Sequence, residues 1–191
     1  MSIRCFIAIE LNDAIQRKLG RLQNRLGGKL HHPPGITWVK PDHMHLTLKF
    51  LGDVDDTVIN DVCSAASEAA AQVVPFEFEL GSVGCFGSAA STRVIWVGVT
   101  TGLSHLEKLH QSVDKQLAQI GFPPERRKFS PHLTLARVRN VKVGSAVRPA
   151  VDKLEPISFS AQNVSEITVF QSDLSSGGPV HTPLHHAPLK L

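Results

Sequence analysis

The sequence predicts an α+β fold of two similar lobes, each an antiparallel sheet backed by helices, around a central cleft. Two observations predict it. One supersecondary plan runs through the chain twice: a strand, an amphipathic helix, a Pro/Gly loop, a strand carrying His-Leu-Thr-Leu, then a helix and closing strands. Neighbouring strand segments are joined by short turns, as hairpins are, and lack the long strand–helix alternation of a doubly wound parallel sheet.

The elements follow in order. Arg4 to Glu10 (RCFIAIE) is a compact, partly alternating apolar run and reads as a strand. A helix follows, capped at Asn12 or Asp13, with Ile15, Leu19, Leu22 and Leu26 on one stripe and Gly27-Gly28 at its end. After the loop His31-His32-Pro33-Pro34-Gly35, strands are expected at Ile36 to Lys40 and Met44 to Leu51. A second helix is expected from about Asp55 to Gln72, then strands near Phe76–Leu80 and Val83–Phe86. The plan restarts with the strand Arg93 to Val99. A helix follows with its stripe on Leu103, Leu106, Leu109 or His110, Val113, Leu117 and Ile120. Pro131 to Val138 is the second histidine strand, Ser145 to Leu154 a shorter helical piece, and Ile157–Ala161 and Glu166–Gln171 the closing strands. The tail from Ser172 reads as an irregular segment, with Ser175-Ser176-Gly177-Gly178-Pro179 making a turn. The segment Gly87 to Thr92 reads as a loop tip, not a linker. The chain is therefore expected to be a single bilobal domain over 1–191, an internal duplication with halves of roughly 1–90 and 91–191.

Composition excludes several classes. No apolar run approaches the ~18 residues of a membrane helix, and the N-terminus carries no signal-peptide pattern. Three cysteines without CxxC spacing argue against a disulfide framework and fit a reducing, cytoplasmic setting. The net charge of +3 is too mild to establish nucleic-acid binding. Its distribution is more informative: Lys40 and Lys49 flank one histidine segment, and Arg126, Arg127, Lys128 and Arg137 flank the other.

His-Leu-Thr-Leu occurs at His45–Leu48 and again at His132–Leu135, where chance predicts roughly 0.005 copies. On a strand, residues i and i+2 share a face. His45 and Thr47 then point one way and Leu46 and Leu48 the other, and the same holds for His132 and Thr134. The leucines can face the core while each His–Thr pair faces the cleft. Two opposed imidazoles suit a phosphodiester, since histidine can be neutral or protonated near neutral pH. A neutral ring takes a proton from attacking water, a protonated ring donates to the leaving oxygen, and threonine hydroxyls hold the non-bridging oxygens.

A metal reading is weaker. His43 and His45 are spaced HxH and would share a strand face, and His31-His32 and His185-His186 are pairs. Zinc, however, takes three or four convergent ligands, and His132 has no HxH partner. The histidine pairs in the loop and tail are expected on the surface. No metal and no cofactor is expected.

These residues resemble the 2H phosphoesterases, and within them the bacterial and archaeal RNA 2′,3′-cyclic phosphodiesterases of 2′-5′ RNA ligase type. The resemblance runs from Arg4-Cys5-Phe6-Ile7-Ala8-Ile9 through Trp38-Val39-Lys40 and His45-Leu46-Thr47-Leu48-Lys49-Phe50-Leu51-Gly52. It continues through Arg93-Val94-Ile95-Trp96-Val97-Gly98 and Pro131-His132-Leu133-Thr134-Leu135-Ala136-Arg137 to the tail. It implies the bilobal fold, metal-free chemistry and a product bearing a 2′-phosphate. It carries over His45 and His132 as catalytic residues, His132 as base and His45 as acid, with Thr47 and Thr134 binding substrate. Phe50 is a candidate for stacking a base, and Arg137 for binding phosphate oxygens in a bidentate fashion. Relatives often carry a tyrosine where His181 stands, and this chain has none. The expected partners are RNA ends or nucleotide 2′,3′-cyclic phosphates, with no membrane, and the expected state is a monomer. Two alternatives keep the cleft: a cyclic phosphodiesterase on small nucleotides or reversible 2′-5′ RNA ligase, and a non-catalytic RNA-end binder.

Overall fold

The computed structural model describes residues 1–88, 91–155, 157–175 and 178–190. In chain order its elements are β1 (Ser2–Glu10), α1 (Asp13–Lys29), β2 (Ile36–Trp38), β3 (His45–Asp55), α2 (Ile59–Ala70), β4 (Phe76–Ser88), β5 (Ser91–Thr101), α3 (Leu103–Gln119), β6 (His132–Val138), α4 (Val141–Asp152), β7 (Gln162–Val164), β8 (Glu166–Ser175) and β9 (Gly178–Pro188). They form two antiparallel sheets, a first of order β3-β1-β8-β9 and a second of order β2-β6-β5-β4-β7.

Local chemistry explains most elements. The Asn12 side chain accepts a hydrogen bond from the Ile15 amide (2.9 Å) and so caps α1. Ile15, Leu19, Leu22 and Leu26 are buried along one stripe of that helix, and Leu106, Leu109, Val113 and Leu117 along α3. All eight join one core that also holds Leu46, Leu48, Leu133 and Leu135. Each such leucine contributes roughly 1.5–3 kcal/mol by leaving water.

Four expectations from the sequence need correction. The segments 76–80 and 83–86 form one long strand, β4, which absorbs its irregularities as register shifts against β5. The first closing strand of the second half is the three-residue β7, and 157–161 is not a strand. The tail is the full strand β9, paired along β8 from Pro188 to Gly178. Pro179, Pro183 and Pro188 suggested irregularity, but β9 is an edge strand, where a missing amide donor can face away from the ladder. Ser176 and Gly177, expected in the turn with Gly178, lie outside the described residues, as do Ala89 and Ala90 of the 87–92 loop tip. Finally, each sheet draws strands from both halves of the chain. The first takes β1 and β3 with β8 and β9, and the second takes β2 and β4 with β5, β6 and β7.

The two histidine strands meet where the sheets meet. β3 is an edge of the first sheet, β6 is covered on its outer side only by the short β2, and β3 and β6 are in contact. The Val39 amide donates to the Leu135 carbonyl (2.9 Å). Buried Gln23 of α1 donates from Nε2 to the carbonyls of Val39 (2.6 Å) and Leu135 (3.0 Å). Its side-chain amide thus ties α1 to the backbone acceptors at the end of the β2–β6 pairing, beside the second histidine strand.

Candidate active site

The burial pattern of β3 from His45 to Phe50 is repeated by β6 from His132 to Arg137: half-buried, buried, half-buried, buried, buried, exposed. Two consecutive buried residues break strict alternation, and a β-bulge causes the break on both strands. On β3, Ala8 pairs with Thr47 and Ile7 with Lys49, so Leu48 is the extra residue. On β6, Trp96 pairs with Thr134 and Ile95 with Ala136, so Leu135 is extra. A bulge re-aims every later side chain to the other face. The alternation expected over His45–Leu48 and His132–Leu135 is present, and past each bulge it is offset by one residue. Lys49 and Ala136, which alternation would place beside the His–Thr pairs, turn into the core. Phe50 and Arg137 take their places.

Cross-strand partners share a face, so register defines the lining. On the first sheet, His45, Thr47 and Phe50 lie beside Glu10, Ala8 and Phe6, which are followed on β8 by Thr168 and Phe170. On the second, His132, Thr134 and Arg137 lie beside Gly98, Trp96 and Val94, followed on β4 by Ser82, Gly84 and Phe86. Every site residue expected from the sequence thus falls on one of these two faces.

The aromatic surroundings of the histidines were not legible from the motif. His45 stacks on Phe6 (ring centroids 4.5 Å, 25°), and the His181 ring meets it edge-on at 5.1 Å. Phe6, Ala8 and Phe170 form a small apolar cluster separate from the main core. His132 meets Phe86 edge-on at 4.9 Å and Trp96 at 6.4 Å. The sequence did hold one signal. Gly84 and Gly98 interrupt apolar strands, which often marks close approach of another group. A Cβ at Gly84 would lie 2.3 Å from the Trp96 ring, and one at Gly98 would lie 2.5 Å from Ser82 Oγ.

The two imidazoles differ electrostatically. His132 Nδ1 donates to the Ser130 carbonyl (2.7 Å), which fixes the tautomer and leaves the lone pair on Nε2. Burial lowers the pKa of His45 to about 4, with His181 adding repulsion and the His43 carbonyl opposing the shift. Burial and the neighbouring His43 also lower His181. Replacing His181 with phenylalanine should keep the edge contact, remove that repulsion, and raise the His45 pKa towards its ordinary value. An NMR titration of the His45 ring checks this; an unchanged midpoint would assign the whole shift to burial.

The groups flanking the two histidine segments have separate fates. Lys49 does not face the cleft: it is buried, and its Nζ bonds the Asp114 carboxylate and the Pro123 carbonyl (2.8 Å). Lys40, Arg126, Arg127 and Lys128 are exposed. His43 sits on a single 3₁₀ turn before β3 and not on the strand with His45, although its ring lies 5.9 Å from that of His181. His31, His32 and His186 are exposed as expected, but His185 is half-buried, its Nε2 2.7 Å from Ser67 Oγ. Among the described residues, the three side chains whose ligand atoms converge enough for an ion are Glu10, Glu166 and His186, all exposed. That group includes neither His43 nor His45.

A family model for the 2′-5′ RNA ligase superfamily matches residues 11–173. The chain belongs to that superfamily. An RNA 2′,3′-cyclic phosphodiesterase of Archaeoglobus fulgidus is 32% identical over 184 residues, covering 95% of this chain and 98% of its own. One from Methanothermobacter thermautotrophicus is 28% identical over 184 residues, covering 96% and 97%. Among superfamily structures, Escherichia coli LigT in its apo form superposes with a TM-score of 0.77 at 27% identity, covering 100% of this chain and 99% of that one. LigT has also been crystallised with 3′-AMP, and that structure matches with a TM-score of 0.77 at 26% identity. Among the described residues, no helix is long and apolar enough to cross a membrane.

Proposed function

We propose that the protein hydrolyses the 2′,3′-cyclic phosphate at RNA ends to a 2′-phosphate, with His132 as general base and His45 as general acid. The observation that carries this reading is the duplicated face: two strands, each presenting a histidine, a threonine and, past an identical bulge, a recognition side chain, meet at the seam of the two sheets. The names of the A. fulgidus and M. thermautotrophicus relatives support the substrate class, and a nucleotide complex of LigT supports a nucleotide occupant.

In this mechanism water attacks phosphorus while Nε2 of His132 takes its proton. The bond from phosphorus to the 3′ oxygen breaks, and His45 donates the proton that oxygen needs. The ester to the 2′ oxygen remains. With a pKa near 4, His45 is neutral in the empty cleft at pH 7. The cyclic phosphate carries a negative charge, and a charge of that sign beside the ring favours imidazolium. Substrate binding at pH 7 is then accompanied by proton uptake, and the acid forms where it is needed. Thr47 and Thr134 bind non-bridging oxygens, as hydroxyl donors do where charge develops, and Arg137 adds a fork of donors. Phe50 is 72% exposed and 6.0 Å from the Phe6 ring. So much apolar surface on the cleft face suits a stacked nucleobase and favours nucleotide substrates over plain phosphodiesters.

The test is hydrolysis of an RNA oligomer with a terminal 2′,3′-cyclic phosphate in excess EDTA, with the product phosphate located. Turnover to a 2′-phosphate is expected. Turnover only after zinc or manganese is added would replace this mechanism with a metal-assisted one, and no turnover under either condition would favour a non-catalytic RNA-end binder.

A further inference from the structure

The two histidines belong to different sheets, yet acid–base transfer across one phosphate needs them held at a fixed separation. One buried polar cluster lies between their supports and touches neither ring. It is centred on α3, whose buried stripe includes His110, with half-buried Asp114 one turn on. His110 Nδ1 donates to the carbonyl of Leu48 (3.0 Å), the bulge residue between Thr47 and Lys49. Its ring stacks on Phe129 (centroids 4.2 Å, 9°). Phe129 precedes Ser130, whose carbonyl holds His132 Nδ1. Lys49, turned inward by the same bulge, bonds Asp114 and the Pro123 carbonyl. Asp114 in turn accepts from the Glu125 amide (2.9 Å). The polar links of this cluster join the β3 bulge to α3 and to the loop 122–131, and α3 to that loop.

We infer that His110, Lys49 and Asp114 form a positioning unit that clamps the loop before β6 to the β3 bulge, and so sets His132 relative to His45. Two features separate this from ordinary core packing. A carbonyl only accepts, so the His110 ring is committed to one tautomer, and its bond falls at the point where β3 departs from regular pairing. The cluster also satisfies loop groups at Pro123 and Glu125, which would otherwise depend on solvent and leave the loop several arrangements. Removing the clamp should leave substrate binding largely intact, because Thr47, Thr134, Phe50 and Arg137 remain on their strands. It should slow chemistry, since a misplacement of about 1 Å in a reacting group can cost on the order of 100-fold.

This inference rests on the two-histidine reading, and the experiment separates the two. His110→Phe keeps a ring against Phe129 and loses the bond to Leu48. It is compared with wild type, His45→Ala and His132→Ala on adenosine 2′,3′-cyclic phosphate, with kcat and KM measured separately. His110→Phe is expected to lower kcat by about 10- to 100-fold with KM changed by less than about threefold. An NMR correlation spectrum of the imidazole nitrogens supplies a readout independent of turnover. His132, held as the Nδ1–H tautomer in wild type, should become a tautomer mixture in the variant. His110→Gln, whose amide can still donate to Leu48, should recover part of kcat. A folded His110→Phe with wild-type kcat and an unchanged His132 tautomer would overturn the positioning role. Should His110→Phe fail to fold, Phe129→Leu, which loosens the same contact from the surface side, must show the kcat loss and the tautomer change, and wild-type values there overturn it equally. Activity retained by His45→Ala and His132→Ala would instead overturn the catalytic reading itself.

Discussion

Replacing His132 with alanine is expected to lower kcat by about 10²- to 10⁴-fold, with KM changed little, and His45→Ala is expected to fall in the same range. In the proposed mechanism each ring serves proton transfer, while phosphate and base contacts fall to Thr47, Thr134, Arg137 and Phe50, so the loss is expected in the chemical step and not in binding. The two losses should not add in the double variant if, as proposed, acid and base act in one concerted displacement. Single-turnover rates with a cyclic-phosphate substrate, alongside product affinity, check this. A variant that loses affinity and keeps its single-turnover rate would make that histidine a binding group. The depressed His45 pKa adds a second expectation. Calorimetric titration with a 2′-phosphorylated nucleotide at pH 7, in buffers of different ionisation enthalpy, should report net proton uptake on binding. His45→Ala should abolish that uptake. No uptake in the wild type would mean that His45 stays neutral when phosphate is bound, and the acid role would pass to His132.

Lys49→Met is expected to destabilise the fold by about 3–5 kcal/mol, because it strands a carboxylate in a place built for an ion pair. The Lys49 and Asp114 side chains are only 7% and 15% exposed, so water cannot replace the lost ammonium well. Burial alone would raise the Asp114 pKa, but the bond from Lys49 and the Glu125 amide outweigh it and hold the carboxyl below its ordinary 3.8. A carboxyl whose folded pKa is depressed contributes stability that is present above its unfolded pKa and lost as pH falls through the folded value. In wild type that contribution is therefore complete above about pH 4 and fades in more acidic solution. In Lys49→Met burial is opposed only by the Glu125 amide and the nearby His110 ring, so the Asp114 pKa is expected to rise and mild acid to relieve part of the loss. Urea unfolding at pH 7 and pH 4.5 measures both effects. Lys49→Met combined with Asp114→Leu should recover much of the stability at pH 7, since removing both charges removes the stranded one. A single variant as stable as wild type would show that solvent reaches the pair.

Register explains why the sequence was legible in some places and not in others. Strand and helix periods are local, so β1, α1, α3 and the two histidine strands could be read from apolar spacing alone. The repeated tetrapeptide pointed to His45, Thr47, His132 and Thr134 because their spacing of two is all that a shared strand face requires. Beyond the threonines the inference broke down. Leu48 and Leu135 are ordinary strand residues in composition, and nothing in their identity announces that each is the extra residue of a bulge. A reader counting by twos places Lys49 in the cleft and Phe50 in the core, the reverse of what the fold does.

The sequence by itself determined the α+β class, the duplicated plan, the two histidine–threonine strands and the amphipathic helices behind them. Each of these follows from residue chemistry repeated at a fixed local period. Only the tertiary structure decided which strands share a sheet, that β9 is an ordered edge strand despite its prolines, and which aromatic rings surround each histidine. It also decided that burial and His181 lower the pKa of His45, and that Lys49, His110 and Asp114 tie β3 to the loop before β6. These depend on long-range pairing, where a one-residue shift turns a whole face around. Such pairing is settled by the packing of the complete core, not by any window of sequence.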